Sequence, residues 1–408
     1  MKRILLMIGC CCSFGILFGQ FKYDNVAFKT IYLEDLCQEL KKQPQALLLD
    51  VRSPGEYGDT SMYENLRIGR LKGAKNIDIG DINKRMKELP LDKNQSIFVY
   101  CSHSQRSRRV SKTLIDSGYK NVYNINGGMT ELNMLRNNGF PCLNDIYETS
   151  NPFTTVSPET ASSLISANKD IFVLDVRKDS AYNEISSIEK LNAMGRIKGS
   201  KHISLEKLPA SINSIPPDKK ILIVDSYGDE SVQAAMNLAK EGYKYVYVVF
   251  NGLDNWMSET KSDFPNKELW WSNSAKYGLM GAEELASVFY KKDDALILDI
   301  RTREEFTNTV KDRVYLNRGH ILNAKNIPVT ELKDKLAEIA AYKNKDIVVY
   351  GFGSSPEGYT AAKLLTENGF TKVNVLTPGL FGVRWRAANI KGHTDMMDWV
   401  VDVPEANR

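Results

Sequence analysis

Leu48-Leu49-Asp50-Val51-Arg52 returns as Val173-Leu174-Asp175-Val176-Arg177 and again as Ile297-Leu298-Asp299-Ile300-Arg301, so the three aspartates stand 125 and 124 residues apart. Self-similarity at a fixed interval reports the architecture before any single residue does. This interval is too long for a stacked solenoid. It suits whole domains, each able to bury a core of its own. A chain of 408 residues, 42% apolar and 25% charged, has the composition to fill three such cores.

Other landmarks keep step with the aspartates. Gly69-Arg70-Leu71-Lys72-Gly73-Ala74-Lys75-Asn76-Ile77 matches segments 195–203 and 319–327. Short β-branched runs follow at 97–100, 221–224 and 347–350, and these read as buried strands. A helical stretch then ends at Gly118, Gly242 or Gly369, the expected left-handed stop. A second β-branched run (121–125, 245–249, 372–376) leads into Asn126-Gly127-Gly128, Asn251-Gly252-Leu253 and Pro378-Gly379-Leu380. Strands alternating with helices at this spacing predict an α/β fold, with a central parallel sheet flanked by helices in each copy. The pattern lapses near 145–154 and 266–277, giving units 21–150, 151–272 and 273–408. Trp270, Trp271, Trp385 and Trp399 are expected to pack between units.

Residues 1–20 stand apart. Lys2 and Arg3 precede an uncharged run from 4 to 18 that ends near Gly19, which predicts a secretory signal and an exported, periplasmic protein. The run is short for a membrane span, so no span is expected in the mature chain. Cys10, Cys11 and Cys12 leave lipid anchoring as the alternative. The net charge of +4 includes Lys2 and Arg3, and gives no electrostatic case for nucleic acid.

Three cysteines remain beyond that segment: Cys37, Cys101 and Cys142. An odd number cannot all pair within one chain. Cys37 lies on a helical apolar face and Cys142 near the end of the first unit. A disulfide between them is conceivable, and the sequence leaves it open.

Cys101 closes the buried run of the first copy, and Ser102-His103-Ser104-Gln105-Arg106-Ser107 lead into a helix expected at 108–116. In open α/β sheets ligands bind beyond the carboxyl ends of strands. Loop amides and a helix N-terminus there favour thiolate, the nucleophilic form of cysteine. A thiol at pKa about 8.5 is only a few per cent ionised near neutrality, so a shift of about two units decides its reactivity. Arg106 could hold an anionic donor, and Ser102, His103, Ser104, Gln105 and Ser107 are candidates to line the same pocket. A buried, inert cysteine is the plainer reading of Cys101, and the strand–Cys–loop–Arg–helix context outweighs it.

Leu49-Asp50-Val51-Arg52 with Glu56-Tyr57, segment 69–77, the Cys101–Arg106 loop and Gly127-Gly128 together resemble the rhodanese-like (thiosulfate sulfurtransferase) family, in three passes over nearly all of the chain beyond residue 20. The resemblance implies three tandem rhodanese-like domains. It makes Cys101 the carrier of a persulfide, taking sulfane sulfur from thiosulfate or a persulfide donor to a thiol or cyanide-like acceptor, with a protein thiol among the candidates. It makes Asp50 and Arg52 a structural pair, and it implies no cofactor and no metal. Arg70 stands where a histidine is usual, whereas the third copy keeps His320. The four residues enclosed by Cys101 and Arg106 are one fewer than in the loops of related phosphatases, which favours sulfur chemistry.

The second copy reads Asp225-Ser226-Tyr227-Gly228-Asp229-Glu230-Ser231, with aspartate at the cysteine and Glu230 at the arginine position. The third reads Gly351-Phe352-Gly353-Ser354-Ser355-Pro356-Glu357, with no thiol. Both are expected to be inactive as sulfurtransferases. Two degenerate copies of three also motivate the alternative of a non-catalytic binding or redox-sensing protein.

Overall fold

The computed structural model describes residues 28–167, 170–259, 264–289, 294–377 and 379–404, so the expected signal at 1–20 lies outside the described residues. Each copy builds a five-stranded parallel sheet with one strand order. In the first it runs Lys29–Ile31, Val122–Ile125, Ile97–Tyr100, Leu47–Asp50, Lys75–Asn76 from edge to edge. In the second it runs Thr154–Val156, Val246–Val249, Lys220–Val224, Ile171–Asp175, Lys201–His202. In the third it runs Gly278–Met280, Lys372–Leu376, Asp346–Tyr350, Ala295–Asp299, Lys325–Asn326. The central strand Ile97–Tyr100 is buried along its whole length, as a strand covered on both faces must be. The tandem α/β architecture predicted from the repeats is the one observed.

The aspartate–arginine pairs explain why the repeat is so sharp. Arg52 is fully buried and donates through Nε and Nη2 to both Asp50 oxygens, at 2.6–3.0 Å, while Nη2 also donates to the Gly69 carbonyl at 2.8 Å. Arg177 with Asp175 and Gly195, and Arg301 with Asp299 and Gly319, repeat every bond. A buried charge without its partner costs several kcal/mol, on the order of 3–5, so neither residue can change alone.

Each of those glycines opens a two-residue antiparallel pairing with the end of its own copy: Arg70–Leu71 with Tyr147–Glu148, Arg196–Ile197 with Trp271–Ser272, and His320–Ile321 with Val400–Val401. The backbone at Gly69, Gly195 and Gly319 has positive φ, and a Cβ there would run into Tyr147, Ser272 or Val401 of that returning strand. Arg70 belongs to this pairing, donating to Glu148 at 2.8 Å.

A disulfide joins Cys37 to Cys142, tying the first helix of copy one, Leu33–Lys42, to its C-terminal end. Cys101 is the free thiol among the described residues. The tryptophans divide in a way the sequence did not show. Trp271 donates to the Met194 carbonyl and Trp270 to Ser166 Oγ, both inside copy two, while Trp271 also joins an apolar cluster shared with copy three. Trp399 stacks edge-on against Phe289 within copy three. Trp385 alone of the four stands where all three copies meet. Among the described residues no helix is long and apolar enough to cross a membrane.

Candidate active site

Cys101 follows the last residue of strand Ile97–Tyr100 and is 1% exposed. The helix after it spans Gln105–Asp116, three residues earlier than the expected start, so the loop is only 101–104. The helix begins early because Ser104 adopts a left-handed backbone, φ 72°, and turns the chain at once. That conformation is uncommon for a residue with a side chain. Copy two places Gly228 at the matching position, φ 95°. Three bonds hold Ser104 in place: its Oγ accepts from the Gly127 N–H at 2.6 Å, and its carbonyl accepts from Ser107 Oγ at 3.0 Å and from the Arg108 N–H at 2.9 Å.

The tight turn leaves the backbone N–H groups of residues 102–107 without a protein acceptor among the described residues. Convergent amides at a helix N-terminus form an anion cradle. Gly128 brings the next helix close from behind, where Met129 N–H donates to the Cys101 carbonyl and Thr130 N–H to that of Ser102, both at 3.0 Å. A Cβ on Gly128 would overlap the Cys101 carbonyl oxygen, which accounts for the closing glycine in all three copies.

Arg106, expected to hold an anionic donor, faces a carboxylate of its own copy. Its Nη1 and Nη2 donate to Glu56 Oε2 and Oε1 at 2.7 and 2.6 Å, and Nη2 also donates to Ser102 Oγ at 2.9 Å. Although burial acts to raise it, the Glu56 carboxyl lies below the ordinary carboxylate range because of its bonds to Arg106 and to Ser53. Arg106 therefore clamps the loop. Its role was out of reach from local sequence, because Glu56 lies 50 residues away. The available signal was the Ser53–Glu56 capping box, which fixes Glu56 at the start of helix Pro54–Tyr57. In copy two Ala181 and Glu230 replace the two partners, so this clamp is absent there.

His103 bonds through Nδ1 to Ser102 Oγ at 2.8 Å. The protein crowded around it, aided by the Arg106 charge, pushes its pKa down to about 4 although one edge of the residue stays exposed, so the ring is neutral near pH 7. Ser107 Oγ reaches Asn124 Oδ1 at 2.7 Å, and Asn124 donates to Asn126, which donates to the Ala388 carbonyl of copy three at 2.9 Å. Arg108 reaches the same carbonyl at 2.7 Å. Asn124 and Asn126 tie the cysteine loop to a different copy, a link no local pattern announces. Gln105 opens the helix and has no side-chain bond to the loop or its neighbours among those described.

Copy two fills its own cradle. Asp225, at the cysteine position, accepts from the N–H of Gly228 at 2.7 Å and of Ser231 at 2.9 Å. Burial pushes its pKa up to about 6 in spite of these bonds. Burial and the Asp225 charge likewise push Glu230 up to about 6. In copy three the loop serves an interface, with Ser354 Oγ bonded to Lys190 and Asp254 of copy two at 3.0 and 3.2 Å.

Copy one thus sets a cysteine in an amide-lined loop at the end of the central strand of a parallel α/β sheet. The rhodanese-like domain model matches residues 33–134, 157–259 and 282–384, and the chain belongs to that family. An uncharacterized Bacillus subtilis protein, YqhL, is 28% identical over 128 residues, 31% of this chain and 90% of that protein. A sulfurtransferase of Allochromatium vinosum is 30% identical over 96 residues, 24% of this chain and 79% of its own length. The thiosulfate sulfurtransferase GlpE of Pseudoalteromonas translucida is 27% identical over 105 residues, 26% of this chain and 89% of its own length. Each match is about as long as one repeat, so the relatives bear on a single copy.

Proposed function

We propose that the first copy is a sulfurtransferase with Cys101 as its sulfur carrier. The observation that carries this reading is the contrast between equivalent loops: the cradle of copy one holds a thiol and free amides, while that of copy two is occupied by a carboxylate from its own chain. The Cys101 thiolate attacks the outer sulfur of thiosulfate or of a persulfide. A new S–S bond forms at Cys101, and sulfite or a thiolate leaves with the electron pair of the broken bond. Loop amides stabilise the anionic persulfide, an electrostatic role that dipoles fixed in advance perform well. A thiophilic acceptor then takes the outer sulfur and Cys101 returns as thiolate. Copies two and three take no part in this chemistry. The sequence of residues 1–20 supports a further proposal, that the protein acts after export to the periplasm, with lipid anchoring at Cys10, Cys11 or Cys12 as the variant form.

The competing reading, a binding or redox-sensing protein, draws on the near-complete burial of Cys101. A thiosulfate-to-cyanide assay separates the two. Wild type is expected to gain the mass of one sulfur and to form thiocyanate, and Cys101→Ser to do neither while staying folded. A folded wild type that accepts no sulfur from thiosulfate or polysulfide would be a binding or sensing protein.

A further inference from the structure

Two asparagines stand in and just beyond the buried strand Val122–Ile125, at positions where the degenerate copies have none. Asn124 is fully buried and Asn126 is 1% exposed. The strand registers match them to Val248 and Phe250 in copy two, and to Val375 and Thr377 in copy three. Asparagine is a poor strand former, and a buried amide left unmatched costs its full desolvation. Val248, Phe250 and Val375 show that the fold accepts apolar residues here. The asparagines therefore serve something other than the core, and they occur in the copy that carries the thiol.

Their side-chain bonds form one chain between copy three and the cysteine loop. Ala388 lies in the last turn of helix Gly379–Asn389, where carbonyls lack donors from their own helix. Asn126 Nδ2 donates to the Ala388 carbonyl at 2.9 Å. Asn126 Oδ1 accepts from Arg108 Nη2 at 3.1 Å and from Asn124 Nδ2 at 2.7 Å, which fixes which way the amide faces. The same bond turns Asn124 Oδ1 toward Ser107 Oγ, 2.7 Å away. Ser107 Oγ in turn lies 3.0 Å from the carbonyl of Ser104, whose φ of 72° shapes the amide cradle. A left-handed residue with a side chain persists only where its surroundings enforce it. Here the enforcing groups run back to a different copy.

We propose that Asn124 and Asn126 are positioning residues for sulfur transfer, and that copy three, through the Ala388 carbonyl, holds the Cys101 loop in its reactive shape. The inference rests on the sulfurtransferase reading above. Copy three supplies no reacting atom. It keeps the loop amides converged before the donor arrives, and dipoles fixed in advance stabilise the developing persulfide charge without reorganising. The loops of the other copies are also met by a neighbour: the Asn65 N–H of copy one donates to Asp229 at 3.2 Å, and Lys190 of copy two to Ser354 at 3.0 Å. In copy one that hold passes inward to the turn beside the thiol. A degenerate copy thereby completes a site whose chemistry it cannot perform.

The test is single-turnover loading of the full-length protein across a range of thiosulfate concentrations, read by intact mass after rapid quenching. Asn124→Val carries the residue of both degenerate copies, so the strand keeps its packing. Asn126→Asp keeps the acceptor for Asn124 and Arg108 and removes the donor to Ala388, and Asn126→Ala controls for the added charge. All three are expected to load about tenfold more slowly at saturating thiosulfate, the upper range for one hydrogen bond. The half-saturating concentration and the final sulfur per protein should stay at their wild-type values, since positioning acts on the reaction step. A variant that loads fewer molecules at the wild-type rate has lost folded protein and overturns the inference. Asn126→Asp and Asn126→Ala loading as fast as wild type overturn it too, and leave the sulfurtransferase intact. A wild type that never loads sulfur overturns both.

Discussion

Asp225 and Cys101 occupy the same loop position, and the different atoms they bring give their cradles opposite fates. The Asp225 carboxylate is held by two backbone N–H groups, yet burial keeps its pKa near 6, above that of an unfolded aspartate. A folded-state pKa raised this way means the native protein binds more protons than the unfolded chain between about pH 4 and 6. This group therefore adds stability as pH falls through 6, on the order of 2 kcal/mol by pH 4, and the contribution is lost as pH rises. Glu230 acts in the same sense and His103 in the opposite one, since its depressed pKa destabilises the fold as pH drops below about 6.5. Comparing urea unfolding of wild type and Asp225→Asn at pH 5 and pH 7 isolates the aspartate. The wild type should resist acidification better than the variant. In copy one, Glu56→Gln should loosen the clamp on Arg106, lower stability by about 1–3 kcal/mol and slow sulfur loading of Cys101 by about tenfold. Stopped-flow loading with thiosulfate reads the second effect, and an unchanged rate would show that Arg106 holds the loop without help from Glu56.

Among the elements, the turn from the second β-branched strand into the following helix is tightly constrained. Gly128 has φ 57°, and a Cβ there would meet the Cys101 carbonyl, whereas Gly73 has φ 71° with open space around it. Gly128→Ala should therefore cost more than the roughly 1–2 kcal/mol of a left-handed alanine and should also impair loading, while Gly73→Ala should cost that amount alone. Thermal melts of the pair, with sulfur loading measured beside them, check both statements. The recurring glycines, the Asp–x–Arg triplets and the β-branched strands were legible because each returns at the same place in all three copies, so three copies with parallel sheets could be read directly. What escaped was enforced at a distance. Glu56 meets Arg106, Asn126 meets Ala388, and Tyr147–Glu148 returns to Arg70–Leu71 only after folding. The helix start at Gln105 was misplaced because a serine in a left-handed turn leaves no propensity signal.

The whole molecule is held as one body by contacts that pass through its loops. Asn65 of copy one donates to Asp229 of copy two, Lys190 of copy two reaches Ser354 of copy three, and Ala388 of copy three receives Asn126 and Arg108 of copy one. Copy one has in addition the Cys37–Cys142 disulfide, which closes a loop of 105 residues. Chain-entropy arguments give such a closure about 5 kcal/mol, so the Cys37→Ala/Cys142→Ala protein should melt earlier, and reductant should shift the wild-type melt but not the variant's. A cysteine-loop transition unaffected by reductant would mean that contacts with copies two and three carry that stability instead. On the proposed reaction the bond also bears on the fate of the sulfur. With Cys37 and Cys142 locked together, a persulfide on Cys101 has no second free thiol among the described residues to resolve it. On the proposed reaction, the described residues then offer the sulfur no exit but an outside acceptor, which turns a transfer site into a store that waits for an encounter.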